Sequence, residues 1–143
     1  TQSNIDMTIF FRNLSSVTKL DTPKEAFTKI KYAFYNIEEL PNEIITKWEV
    51  WLKSYLEMIN AEEQTDSERK ASMNRNNPKY VLRNYMAQLA IESAEKGDYS
   101  LINELYLLLQ KPYEEQSEHE KWFAKRPDWA LEKVGCSMLS CSS

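Results

Sequence analysis

The 143-residue sequence contains little glycine, cysteine or histidine. Two glycines and five prolines are too few for a turn-rich β-sheet fold, and their scarcity favours long helices. One histidine is too few for a zinc cluster, and two cysteines are too few for a disulfide scaffold. The glycines stand apart, at Gly97 and Gly135, so no glycine-rich phosphate loop is present.

The charge balance and the hydropathy pattern exclude two further classes of partner. The chain has 18 basic and 22 acidic residues, a net charge of −4, whereas nucleic-acid binding requires a basic surface. No apolar run approaches the ~18 residues that span a bilayer. The first residues, "TQSNIDMTIF", show no signal-peptide pattern and no initiating Met. We therefore expect a processed chain or a piece of a longer protein, with neither nucleic acid nor membrane as partner.

Apolar residues recur at three- and four-residue steps along most of the chain. This pattern predicts an all-α fold, an irregular bundle of roughly six to eight helices, as one helical domain over residues 1–134. Thr22 as N-cap, Pro23 at the first helical position and Glu25 two residues later form a helix start signal, and the apolar stripe continues to residue 37. The clearest amphipathic helix lies within residues 40–63, where we interpret Trp48 and Trp51 as core residues.

The second half of the chain also reads as helical. A short helix is expected around residues 66–74. The Asn77-Pro78 pair predicts the start of a helix that runs to Gly97, a left-handed C-terminal cap. The next helix ends before Pro112, and the short turn between the two predicts a helical hairpin. Further short helices are broken at Pro127.

A group of polar residues lies beside the apolar positions of the predicted hairpin. The candidates are Asn77, Arg83, Asn84 and Gln88. We assign the neighbouring Leu82, Tyr85 and Leu89 to the core, on a different face from Arg83 and Gln88. The simpler interpretation is a polar seam in which amide and guanidinium groups satisfy carbonyls between helices or domains. The alternative is that Arg83 binds a phosphate or a carboxylate.

No catalytic group emerges from the sequence. His119 lies on a charged segment between Glu118 and Glu120, and we interpret it as a solvated surface residue. The paired glutamates at 38–39, 62–63 and 114–115 read as exposed surface rather than as an acid and base pair.

Both cysteines, Cys136 and Cys141, lie in the last nine residues, "GCSMLSCSS". The small residues predict a flexible tail over 135–143, where a thiol is accessible to oxidation or disulfide exchange. The two thiols can pair with each other, or they can remain reduced and inert. Their Cys-x4-Cys spacing does not match the Cys-x-x-Cys of thiol oxidoreductases.

Several long blocks closely resemble the C-terminal end of the selenoprotein O family. They are "DMTIFFRNLS", "NPKYVLRNYMAQLAIESAEKGDYS", "LLLQKPYEEQ", "KRPDWA" and "VGCSMLSCSS", in that order and over nearly the whole chain. The resemblance implies a protein three to four times longer, with a kinase-like fold that transfers AMP from ATP to Ser, Thr or Tyr hydroxyls of proteins. It implies ATP and Mg or Mn as cofactors of that parent, and the upstream kinase-like part and the protein substrates as partners.

The same resemblance places the catalytic motifs upstream, and nothing in residues 1–143 matches them. We therefore expect this chain to be the non-catalytic helical part of the parent enzyme. Cys141 takes the position that selenocysteine holds in many eukaryotic members, which implies a redox role weakened by sulfur, including pairing with a thiol of the kinase-like part. The compartment would be cytoplasmic in a bacterium and mitochondrial in a eukaryote. The alternative function is a self-standing α-helical protein-interaction module.

Overall fold

A computed structural model describes residues 4–132 of the chain, with side chains as far as residue 130. Within this range the protein is all-α, as the sequence predicted, and the one β-type contact is an isolated bridge between Ile5 and Phe34. The seven α-helices of residues 4–132 are α1 Met7–Leu14, α2 Pro23–Ile30, α3 Asn42–Asn60, α4 Asp66–Asn76, α5 Asn84–Glu95, α6 Ser100–Leu108 and α7 Trp129–Glu132. Short 3-10 helices cover Lys31–Ala33, Ile37–Glu39 and Ser117–Trp122. None of the helices in the described range is both long enough and apolar enough to span a bilayer.

The chain forms two compact units, an N-terminal unit of Thr1–Asn77 and a C-terminal unit of Pro78–Ser143. The expectation of one helical domain over residues 1–134 stays a prediction. The predicted flexible tail, with Cys136 and Cys141, lies outside the described residues.

Local side-chain chemistry starts the first two helices of the N-terminal unit. The Asp6 carboxylate accepts a hydrogen bond from the Ile9 amide at 3.1 Å and so caps α1. Thr22 and Glu25 form the reciprocal capping box that the sequence predicted for α2, with Pro23 at the first helical position. Both caps satisfy amides that have no partner within their own helix.

The second helix is shorter than its apolar pattern suggested. It ends at Ile30, and the chain continues through a 3-10 turn into extended backbone at Phe34. There the amide of Tyr35 donates to the carbonyl of Asn4 at 2.9 Å, and Phe34 is fully buried. The bond between Tyr35 and Asn4 requires an extended chain at Phe34. Pairing with the N-terminal segment therefore replaces the helix that periodicity alone predicted.

The third helix is amphipathic, and its buried stripe is narrower than predicted. Leu52, Leu56 and Ile59 are buried, and α3 packs mainly against α2. The interpretation of Trp51 as a core residue is wrong, since 43% of its surface is exposed, and Trp48 is half-buried. The neighbouring helices of this unit therefore leave part of the apolar face of α3 uncovered.

The fourth helix confirms the predicted short helix around residues 66–74. A second reciprocal capping box, between Thr65 and Glu68, starts it. Its buried Arg69 donates to the Val17 carbonyl at 2.8 Å and pairs with Asp66.

The C-terminal unit begins with a non-helical segment rather than with a helix. The predicted helix start at Asn77-Pro78 is wrong, because α5 begins six residues after Pro78, at Asn84. The amides of Lys79 and Tyr80 both donate to the Pro112 carbonyl, at 2.9 and 3.1 Å. This pairing with a distant residue holds the segment in a non-helical conformation.

The helical hairpin that follows is confirmed. Gly97 has φ +86°, a left-handed conformation that glycine adopts without steric cost, and α5 and α6 pack against each other across the turn. Helix α6 ends before Pro112, and Pro127 precedes α7. The core of this unit contains Tyr80, Tyr85, Met86, Ala90, Leu105, Leu108, Trp122 and Ala130.

Candidate functional site

An open apolar cleft of about 740 Å³ lies in the N-terminal unit between α1 and α3. This volume is in the range of small-molecule pockets and of grooves that accept a few side chains from a partner. Its lining includes Met58 and the aromatic rings of Phe10, Phe11, Trp48, Trp51 and Tyr55. Trp51, Met58 and Phe11 are 43, 53 and 38% exposed. Such a concentration of exposed large apolar groups is typical of a contact surface.

Neighbouring aromatic rings hold the cleft walls in a fixed arrangement. Phe10 of α1 lies 5.6 Å from Trp48 and 6.2 Å from Trp51, measured between ring centroids. Trp48 and Trp51 meet edge to face at 5.7 Å, and Trp51 stacks on Tyr55 at 5.6 Å with ring planes 9° apart. Tilted and edge-to-face pairs at these distances are favourable beyond the area they bury. The cleft is therefore a preformed surface.

The polar groups around the cleft are few. Lys47 is the charged residue in its lining. The Tyr55 hydroxyl contacts the Met73 sulfur at 3.7 Å, and burial raises the pKa of that hydroxyl above its ordinary value of 10.0. The wall is thus neutral apart from one lysine, which suits an apolar ligand surface.

The four polar seam candidates are divided between the two units. Asn77 belongs to the N-terminal unit, where its side-chain amide donates to the Met73 carbonyl at 2.8 Å at the end of α4. Arg83, Asn84 and Gln88 belong to the C-terminal unit. Gln88 makes a contact of 3.4 Å with Glu92 on its own helix. A seam role for the four residues stays a prediction.

Arg83 is the largest fully buried side chain of the described residues, with 1% of its surface exposed. The assignment of Leu82 to the core is wrong, since Leu82 is 52% exposed. Both residues precede the first residue of α5, Asn84, so the helical periodicity used to assign their faces does not apply. Arg83 itself has extended backbone, with φ −95° and ψ 153°, in which successive side chains point to opposite sides.

A second buried cation, Lys79, was missed from the sequence. Its side chain is 6% exposed, and its ammonium lies 2.7 Å from carboxylate oxygens of both Glu115 and Glu120. The same ammonium lies 4.9 Å from the Phe123 ring centroid. Burial acts to lower the pKa of Lys79, but the hydrogen bonds to the two glutamates outweigh it and raise that pKa above its ordinary value. Lys79 is therefore charged and paired.

His119 is half-buried rather than fully solvated, since 21% of its side chain is exposed. Its Nδ1 lies 3.9 Å from a Glu104 carboxylate oxygen that accepts a 2.6 Å hydrogen bond from the Trp122 indole. The hydrogen bond from Trp122 is the main reason that the pKa of Glu104 lies below its ordinary value. Among the residues that the structure describes, no cluster of three His, Cys, Asp or Glu side chains could hold a metal ion.

Sequence comparison finds a family model and several known proteins that are similar to this chain. A family model described as "Protein adenylyltransferase SelO" matches residues 1–110. The chain is 66% identical over 138 residues to the protein nucleotidyltransferase YdiU of Flavobacterium johnsoniae, a match that covers 96% of this chain and 26% of that protein. It is 43% identical over 145 residues to the protein of that name from Aromatoleum aromaticum, covering 100% of this chain and 27% of that protein. The protein of that name from Tolumonas auensis is 46% identical over 142 residues, covering 99% of this chain and 27% of that protein.

The chain thus spans about a quarter of the length of the curated relatives that it matches. The family match covers well over half of the chain, and it agrees with the resemblance noted in the sequence blocks. This chain belongs to the SelO family of protein adenylyltransferases.

Proposed function

We propose that this chain is the C-terminal helical part of a protein adenylyltransferase, and that it supports the kinase-like part of the same protein without contributing catalytic residues. The observation that carries the proposal is the match to the SelO family by a chain about a quarter as long as its relatives. In the proposed reaction, a Ser, Thr or Tyr hydroxyl oxygen of a protein substrate attacks the α-phosphorus of ATP. The α–β phosphoanhydride bond breaks, pyrophosphate leaves, and the hydroxyl proton passes to a base.

The cofactors of this reaction are ATP and Mg or Mn, and we assign both to the kinase-like part. The described residues do not fit a metal site, because their carboxylates do not cluster with other ligands. The acidic groups with defined partners, such as Glu104 and Glu115, pair with an indole or with lysines instead. No step of the reaction is therefore assigned to a residue of this chain.

We further propose that Cys136 and Cys141, which lie outside the described residues, respond to oxidation. Formation of one disulfide, between them or from Cys141 to a thiol of the kinase-like part, releases two electrons and two protons to an oxidant such as oxidised glutathione. The bond would restrain the tail and change the activity of the parent. The relatives are bacterial, which supports the cytoplasmic rather than the mitochondrial alternative.

Transfer of label from ATP that carries the isotope on its α-phosphate tests the proposal. Four preparations are compared: the full-length parent, the parent truncated before this region, this chain alone, and the truncated parent with this chain added. We expect label on protein only where both parts are present. Repeating the reaction with and without reductant, in wild-type and Cys141→Ser proteins, tests the redox response.

The alternative is a self-standing helical module that binds a different protein, and the open aromatic cleft is the feature that favours it. The label-transfer experiment separates the two functions. If no α-label moves to protein in any of the four preparations, the adenylyltransferase proposal fails and the interaction module becomes the better explanation.

A further inference from the structure

We infer that the aromatic cleft of the N-terminal unit is the surface on which this region docks onto the kinase-like part of its parent, by accepting apolar side chains from the chain that precedes it. The inference rests on the proposed function, and it adds a defined surface and occupant. The cleft is the α1–α3 pocket described above, with Trp51 and Met58 on its open side.

The shape and chemistry of the cleft call for a polypeptide occupant. Its lining is apolar and aromatic, with one lysine and no carboxylate, so it offers little to orient a charged metabolite. Rigid aromatic walls are typical of surfaces that receive a few anchoring side chains from a protein partner. An apolar helix or segment laid between α1 and α3 would cover side chains that are now 38 to 53% exposed, namely Phe11, Trp51 and Met58.

The path of the chain identifies which polypeptide this is. Ile5 forms part of the cleft wall, and its neighbours are fixed by two backbone hydrogen bonds. The amide of Asp6 donates to the Ala33 carbonyl at 2.8 Å, and the amide of Tyr35 donates to the Asn4 carbonyl at 2.9 Å. The direction in which the chain enters this unit is thereby set at the edge of the cleft.

The relatives are nearly four times as long as this chain, and the proposed function places that extra length before Thr1. The kinase-like part is then covalently attached beside the cleft. Covalent attachment makes docking intramolecular, with an effective concentration that reaches about the millimolar range for short flexible linkers, so even a weak apolar contact can be populated. A second copy of the chain has no such advantage at micromolar concentration. These two arguments together select the kinase-like part over other occupants.

Thiol labelling of engineered cysteines tests the inference. Met58→Cys places a thiol in the cleft. Val50→Cys is the matched control, because Val50 is 62% exposed on the same helix but does not line the cleft. Each variant is made with Cys136 and Cys141 replaced by serine, in both the 143-residue chain and the full-length parent. Labelling rates with a maleimide are read at each site by mass spectrometry, which separates them from other cysteines of the parent.

We expect Met58→Cys to react at least about tenfold more slowly in the parent than in the 143-residue chain, with Val50→Cys unchanged. Adding Trp51→Glu to the parent should restore fast labelling at position 58, whereas adding Val50→Glu should not. Equal rates at position 58 in the two proteins overturn the inference. If the labelling rate at position 58 of the short chain falls as the concentration of that chain rises, a second copy is the occupant, and the inference is overturned.

The labelling result is independent of enzymatic activity. If position 58 is protected in a parent that transfers no α-label, the docking surface is supported and the proposed reaction is refuted. If the parent transfers α-label but position 58 is unprotected, the proposed reaction is supported and the docking surface is refuted.

Discussion

Arg12 connects the first and fourth helices of the N-terminal unit, and its replacement gives a sharp test of how this unit is held together. Arg12 is buried, with 6% of the residue's surface exposed. The Nη1 group donates to the carbonyl of Asn74 at 3.1 Å and to that of Asn77 at 2.9 Å. Carbonyls at the end of a helix have no partner within it, and a cation is favoured there by the helix dipole. Arg12 therefore caps α4 from a position more than sixty residues away in sequence.

The magnitude follows from the two bonds. Arg12→Met keeps most of the buried apolar stem and removes both hydrogen bonds. Each bond from a charged donor contributes about 1.5–3 kcal/mol, and since the two share one nitrogen we expect a joint loss of about 3 kcal/mol in the free energy of unfolding. Arg12→Lys keeps the charge without the planar fork and should lose about half as much. For Arg12→Met, the melting temperature should fall by roughly 6–12 °C.

Urea unfolding followed by far-UV circular dichroism gives the free energies. Because the chain forms two compact units, hydrogen exchange of the α4 amides shows where the loss occurs. Arg75→Met is the matched control, since Arg75 is exposed in the last turn of the same helix. It removes the same charge and should cost about 0.5 kcal/mol or less. A loss below about 0.5 kcal/mol for Arg12→Met, or an equal loss for both variants, would refute the cap.

Substitutions at three further positions test local features of the C-terminal unit by urea unfolding. Gly97→Ala should cost about 1 kcal/mol through backbone conformation alone, since an added Cβ would meet no heavy atom within 4 Å; Gly97→Asn should cost less. Lys79→Met keeps the buried stem and should cost about 1 kcal/mol, with a smaller difference from wild type at 1 M salt; a salt-independent cost would contradict the ion-pair explanation. The pKa of Glu104 is lower in the folded state than its unfolded-state value of 4.5. The stability that the Glu104 carboxylate contributes is therefore fully present above pH 4.5 and is lost as the pH falls through the folded-state pKa. The stability difference between wild type and Glu104→Gln should therefore shrink between pH 7 and pH 3, and a constant difference would contradict this assignment.

Features that depend on a few adjacent residues were predictable from the sequence. The Thr22 and Glu25 capping box needs only side chains three residues apart, and it forms as predicted. The left-handed conformation of Gly97 and the hairpin around it follow from one glycine between two apolar patterns. The helical class follows from scarce glycine and a clear period, and it is confirmed.

Features that depend on distant partners were not predictable from the sequence. Helix α5 begins at Asn84 because the amides of Lys79 and Tyr80 pair with the Pro112 carbonyl, a residue more than thirty positions away. The exposure of Leu82 and the burial of Arg83 follow from that non-helical segment.

The candidate site was missed for a related reason. The sequence shows the apolar stripe of α3, but it does not show that the neighbouring helices leave Trp51 uncovered and so form a cleft. Burial of Lys79 likewise needs Glu115 and Glu120 to arrive from another segment. One signal in the sequence could have indicated the cleft: the apolar face of α3 is wider than a single neighbouring helix can cover.

The aromatic rings of the N-terminal unit also give the protein an intrinsic optical reporter. Six rings form a continuous series with adjacent centroids 5.2 to 6.2 Å apart: Phe27, Phe34, Trp48, Phe10, Trp51 and Tyr55. Aromatic transitions held at fixed angles at such spacings produce near-ultraviolet circular dichroism, which disappears when side chains lose fixed packing while helices persist. With Trp122 and Trp129 replaced by phenylalanine, the remaining tryptophan signal reports the order of the N-terminal unit alone. Loss of tertiary packing in this unit can then be followed separately from loss of its helices, without any attached label.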